Sequence, residues 1–125
     1  MKTELQQRGL EAETLVADYL IKNGYRICAR NYTIRAGEID IIAQKDEVIA
    51  FVEVKMRTTK HFNTSLVVDR TKQRKIITTA RTYAASHSYY QHILRFDVAL
   101  VHYEPSTGND SITFIPNAFT AYEKI

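Results

Sequence analysis

Cysteine, proline and glycine are scarce in this chain of 125 residues, which carries one, two and four of them. The single thiol, Cys28, has no partner for an internal disulfide and cannot build a cysteine zinc cage. Nothing in the sequence around it marks a catalytic setting, so it reads as a packing residue. The low glycine content and the lack of a glycine-rich phosphate loop argue against a nucleoside-triphosphatase. The four histidines, His61, His87, His92 and His102, show no zinc-ligand spacing. No segment approaches the ~20 apolar residues that span a bilayer. The opening Met-Lys-Thr-Glu-Leu-Gln-Gln-Arg also lacks the apolar stretch of a secretory signal. The expected setting is therefore cytoplasmic, with no membrane partner. No repeat, low-complexity tract or Pro/Gly-rich linker interrupts the chain, and its length suits one core, so residues 1–125 are expected to form a single domain.

Apolar residues make up 45% of the chain and charged residues 25%, enough hydrophobic surface for a compact fold. The net charge of +3 favours polyanionic partners only weakly, and its distribution says more. Arg57, Lys60, Arg70, Lys72, Arg74, Lys75 and Arg81 follow one another in one stretch, whereas Glu11, Glu13, Glu38, Asp40 and Glu53 cluster earlier. A basic surface beside an acidic pocket suits metal-dependent phosphodiester chemistry, which must attract a polyanion and hold a cation.

Leu5, Ala12, Leu15, Val16, Tyr19 and Leu20 recur at spacings of three and four, which predicts an amphipathic helix over residues 4–22, ended by Asn23-Gly24. Residues 25–33 read as a strand, followed by a turn at Ala36-Gly37. Residues 38–43 and 48–56 are β-branched, apolar strands that should pair as a hairpin across Lys45-Asp46-Glu47. Residues 57–67 are polar and irregular, a mobile loop. A second helix is predicted over residues 69–87, with Asp69 as its N-cap. Strands follow at 93–103 and 111–115. Helix, three strands, helix and two strands imply an α/β protein with a central mixed β-sheet flanked by helices.

The chemistry concentrates on the hairpin. Alternate strand residues face one way, so Glu53 and Lys55 project together, away from Val52, Val54 and Met56. In the preceding strand Glu38, Asp40 and Ile42 are expected to share a face. A two-residue loop at Asp46-Glu47 sets Lys45 opposite Val48 and therefore Asp40 opposite Glu53. Two carboxylates so close repel unless a cation lies between them, and magnesium, with its preference for oxygen ligands, would resolve the conflict. A main-chain carbonyl such as that of Val54 could join them, while Lys55 would position a water or stabilise charge on a phosphate. The plainer alternative is a surface Glu53–Lys55 ion pair with Asp40 near a turn. Glu13 lies close to the apolar stripe of the first helix, where it either reaches the sheet to hold a metal-bound water or second ion, or stays a surface glutamate. Arg57, Lys72, Arg74 and Lys75 are candidate phosphate contacts, again against an ordinary exposed face. Tyr89-Tyr90 and Phe62 are candidates for base stacking or for core and rim packing. Glu38 and Asp97 read as structural.

Arg8-Gly9 to Glu13, Gly37-Glu38-Ile39-Asp40-Ile41-Ile42-Ala43, Phe51-Val-Glu-Val-Lys-Met-Arg57, Lys72-Gln-Arg-Lys-Ile76, Arg95-Phe-Asp97-Val98 and Ile115-Pro-Asn-Ala-Phe119 together resemble the bacterial YraN-like family over nearly the whole chain. That family resembles a branch of the PD-(D/E)xK restriction-endonuclease-like superfamily, similar in pattern to archaeal Holliday junction resolvases. The resemblance implies that Asp40 is the first metal-binding aspartate, Glu53 the second acidic ligand, Lys55 the catalytic lysine, Glu13 the helix glutamate of the resolvases, and Lys72 a basic helix position. It implies a magnesium- or manganese-dependent endonuclease acting on DNA, branched or otherwise structured. The alternative is a non-catalytic nucleic-acid-binding or scaffold module on the same fold. A homodimer would let two sites address two strands, and a short basic surface would suit substrate delivery by a protein partner.

Overall fold

The computed structural model describes residues 1–57, 68–89 and 91–121. The expected loop after Arg57, with Lys60, His61 and Phe62, lies outside the described residues, as does Tyr90.

Helix α1 spans Glu4–Lys22. Its start is fixed by a reciprocal capping box: the Gln6 amide donates to Thr3 Oγ1 at 3.1 Å, and the Thr3 amide donates to Gln6 Oε1 at 2.9 Å. Ala12, Val16, Ala17 and Leu20 form its buried stripe. Asn23 caps its end, and Gly24, at φ 90°, turns the chain into the sheet. Five strands follow in spatial and sequence order, β1 (Arg26–Ile34), β2 (Gly37–Lys45), β3 (Val48–Arg57), β4 (Ile93–Glu104) and β5 (Asn109–Phe119). Helix α2 (Arg70–Ser86) connects β3 to β4, which pair in parallel, while the other neighbours are antiparallel. The sheet is therefore mixed, and the crossover helix is what a parallel connection needs.

Each sheet face carries one helix and one core. On the α1 side Val16, Ala17 and Leu20 pack on Ile41, Ala43, Ala50, Val52, Ala99 and Val101. On the α2 side Ile76, Ile77, Ala80 and Tyr83 pack on Ile39, Ile42, Ile49, Phe51, Phe96 and Val98. Because both faces are covered, the central strands lose the polar alternation of a half-exposed sheet, which explains the near-continuous apolar run of β3. Asp69 caps α2 by accepting the Lys72 amide at 2.8 Å. At the start of β2, Gly37 permits close docking of this helix, since a Cβ there would lie 2.9 Å from Thr79 Oγ1 and 3.2 Å from the Lys75 carbonyl oxygen.

The last strand is longer than the expected residues 111–115. It runs to Phe119 through Pro116, a residue that removes a ladder donor and normally stops a central strand. β5 is an edge strand, where that loss is tolerated. A register shift between Phe96 and Val98 and a left-handed Asn117, at φ 53°, accompany the extension. Among the described residues no helix is long and apolar enough to cross a membrane.

Candidate metal and nucleic-acid site

The β2–β3 hairpin has the register its two-residue turn requires. Lys45 pairs with Val48 and Ile41 with Val52, which carries Asp40 to the position facing Glu53, just where the paired ladder ends. There Asp40 Oδ2 accepts the Val54 amide at 2.8 Å, so a side chain replaces the next main-chain acceptor. The Val54 group seen at this site is thus its N–H, bound to Asp40. On β3, Val52 belongs to the α1-side core with Val54 and Met56 packed against it, leaving Glu53 and Lys55 on the other side. Lys55 Nζ lies 3.5 Å from Glu53 Oε2.

The alternation expected for β2 breaks at Asp40. Ile42 and Ile39 both pack on the α2 side, whereas Ile41 packs on the α1 side. Glu38 lines a cleft with Glu13 of α1, so Glu38, Asp40 and Ile42 do not share one face. The same break runs through β1. Arg30 pairs with Ile41 and Tyr32 with Ile39, and between them Asn31 adopts φ 52°, a left-handed conformation uncommon for a residue with a side chain. The two strands kink together, and the kink exposes Asp40 to groups from both sides of the sheet.

Those groups are unequal in charge. Glu53 is buried at 6% exposure, and besides Lys55 it meets Lys72 of α2, whose Nζ lies 3.6 Å from the same Oε2. Burial pushes the pKa of Asp40 up to about 7, and the Glu53 charge adds to the effect, while the Val54 amide and Lys72 act in the opposite sense. Glu13 is raised too, first by burial, with Asp40 adding repulsion and Asn31 and Arg30 opposing it. Glu13 does turn towards the sheet, where Asn31 Nδ2 donates to its Oε1 at 3.1 Å and Arg30 approaches to 3.6 Å. Its direct partners are on β1; Asp40 acts on it through charge.

Two adjacent carboxylates, one of them hard to ionise, form an oxygen donor pair that suits a hard divalent cation, whose charge would relieve their repulsion. The pair falls short of a complete cage. Among the described residues no group of three or more His, Cys, Asp or Glu side chains is placed to hold a metal. Magnesium commonly keeps several water ligands and binds through one or two carboxylates plus substrate phosphate, so two protein ligands are compatible with it.

Of the proposed phosphate contacts, Lys72 faces Glu53, and Arg74 and Lys75 are exposed on α2. Arg57 is half-buried and donates to the Met56 carbonyl oxygen at 3.0 Å. Asn31 and Arg30, which hold Glu13, were not among the residues singled out from sequence. A signal existed: asparagine is depleted in strands and tolerates left-handed backbone, so an asparagine inside an expected strand marks a break.

The mixed five-stranded sheet with a helix on each face, and an acidic pair where the central hairpin opens, is an α/β restriction-endonuclease-like architecture. The chain belongs to the Uncharacterised protein family UPF0102, whose sequence profile matches residues 12–101, a stretch holding Glu13, Asp40, Glu53, Lys55 and Lys72. It is 38% identical over 120 residues to a UPF0102 protein of Clostridium perfringens, covering 95% of this chain and 98% of the relative. A UPF0102 protein of Treponema pallidum is 40% identical over 114 residues, covering 89% and 90%. One from Caldanaerobacter subterraneus is 41% identical over 113 residues, covering 89% and 93%.

Proposed function

We propose that this protein is a magnesium- or manganese-dependent endonuclease that hydrolyses phosphodiester bonds in branched or otherwise structured DNA. The observation that carries the reading is the meeting of Asp40, Glu53 and two lysines at the open end of the β2–β3 hairpin. A plain Glu53–Lys55 ion pair would not need a second carboxylate; here Asp40 is held beside Glu53 although its ionised form is disfavoured.

In this reading Asp40 and Glu53 hold the ion, which supplies Lewis-acid stabilisation of the phosphate and a more acidic water. The Val54 amide fixes the Asp40 carboxylate by occupying Oδ2. Lys55 shares a strand face with Glu53, so its ammonium is set to orient the attacking water or to neutralise charge growing on the phosphate. Lys72 compensates Glu53 from α2, and its ammonium there is placed to meet a phosphate oxygen. Glu13, held by Asn31 and Arg30, stands further out as a partner for a metal-bound water. Arg74 and Lys75 present positive charge to the backbone of the DNA.

A non-catalytic nucleic-acid-binding module is the second reading, favoured by the lack of a third metal-ligating side chain among the described residues. Calorimetric titration of magnesium and manganese into the wild type and Asp40→Ala, with cleavage of linear, nicked and four-way-junction DNA by the same samples, separates the two. Metal binding lost in the variant, together with metal-dependent cutting by the wild type, is expected. Absence of both from the wild type would sink the endonuclease reading.

A further inference from the structure

Gly9 lies inside α1, where glycine is the poorest helix former after proline. Neither backbone nor packing asks for it. Its φ is not in the left-handed region, where Gly24 and Gly108 are found, and a Cβ built on it would meet nothing within 4 Å. Gly37 is the opposite case, since a Cβ there would strike Thr79. The missing side chain at Gly9 therefore keeps open a space that the described protein does not fill.

That space is a cleft of about 560 Å³, lined by Lys2 just ahead of α1, by Gln6, Gly9, Leu10 and Glu13 of α1, and on the strand side by Asn31 and Glu38. It opens beside the acidic pair: Glu38 is two residues from Asp40, Asn31 sits at the kink facing it, and the Asp40 charge acts on Glu13. The volume falls in the range of pockets that take small molecules, roughly 300–1,000 Å³. A duplex, whose major groove alone is about 12 Å wide, is far too large to enter. Two carboxylates, Glu13 and Glu38, outweigh the single ammonium of Lys2 and disfavour phosphate in the cleft, and they accept hydrogen bonds from exocyclic amino groups of bases. The carboxamides of Gln6 and Asn31 both donate and accept, and Leu10 offers an apolar edge.

We infer that this cleft receives an unpaired nucleoside next to the phosphate held at Asp40 and Glu53, with Gly9 as its point of approach. The inference rests on the nuclease reading for that phosphate and specifies its substrate as DNA with unpaired nucleotides at the cutting point, such as a flap, fork or gap, in place of continuous duplex.

The test is fluorescence anisotropy in calcium buffer with a forked DNA carrying unpaired arms and a blunt duplex of equal length, using the wild type, Gly9→Ala and Gly9→Leu, each also melted thermally. Both variants should melt at or a few degrees above the wild type, because both residues favour helix over glycine. The wild type should prefer the fork. Gly9→Leu, whose side chain would enter the cleft at its point of approach, should bind the fork about tenfold more weakly and the duplex within about twofold of the wild type. Equal fork and duplex affinity in the wild type, unchanged fork binding by a folded Gly9→Leu, or equal loss on both DNAs would each overturn the inference. A fork-selective loss in a protein that neither binds magnesium nor cuts would support the cleft while removing the nuclease reading, so the two failures are distinguishable.

Discussion

Two acidic residues of one sheet, on strands separated by β3, have opposite surroundings. Asp97, fully buried on β4, has every need met: Arg95 donates to both its oxygens at 2.7–3.1 Å, and the Asn117 amide donates to Oδ1 at 2.8 Å. Arg95 is itself held by the Tyr25 hydroxyl at 2.6 Å, and the Asp97 pairing raises its pKa. Asp40 on β2 receives one amide and faces a second carboxylate, and it is kept protonated well above the ordinary aspartate range. A satisfied buried charge holds strands together, here joining β4 to β5. A carboxylate set beside another with one amide for support gives up its charge more readily.

Breaking the satisfied pair should have the largest effect on stability. Asp97→Ala strands the Arg95 guanidinium and the Asn117 amide, and chemical denaturation should show a loss of about 3 kcal/mol or more. A loss within error would mean that the pair is dispensable and the contrast with Asp40 empty.

Asp40→Asn should act in the opposite direction. The folded-state constant of Asp40 lies near 7 and its reference value is 3.8, so the folded protein holds the extra proton between these limits. The stabilisation from this group is fully present below about pH 4 and is lost as pH rises through about 7. Asparagine keeps an acceptor for Val54 and adds a donor towards Glu53. In metal-free buffer at pH 8 the variant should be more stable than the wild type by roughly 2 kcal/mol, a difference that closes towards pH 4. Denaturation curves across this range check it; a gap that does not change with pH would remove the electrostatic account.

The smallest effect belongs to Lys72→Met, which removes one compensating charge from Glu53 and one candidate phosphate contact. DNA affinity should fall several-fold, and the slope of log affinity against log salt should fall by about 1. An unchanged slope would confine Lys72 to its role beside Glu53.

The comparison also separates what was legible early from what was not. The limits of α1, the Asp69 cap and the hairpin register depend on residues within a few positions of one another, so periodicity, capping chemistry and a two-residue turn suffice to read them. Even Asp40 facing Glu53 follows from counting back from Asp46-Glu47. The extension of β5 to Phe119 is not legible in the same way, because Pro116 is a residue that ordinarily ends a central strand and only the position of β5 at the sheet edge lifts that restriction.

Sequence by itself determined the elements, the alternation that puts Glu53 with Lys55, and the hairpin that brings Asp40 to them. Tertiary structure decided the rest. The shared kink at Asn31 and Asp40 moved Glu38 to the cleft, parallel β3–β4 pairing carried α2 across the sheet so that Lys72 reaches Glu53, and Asp97 found its partner amide on β5. These depend on contacts between segments remote in the chain, and burial by those segments is what makes one carboxylate a strut and leaves another harder to ionise beside a second carboxylate.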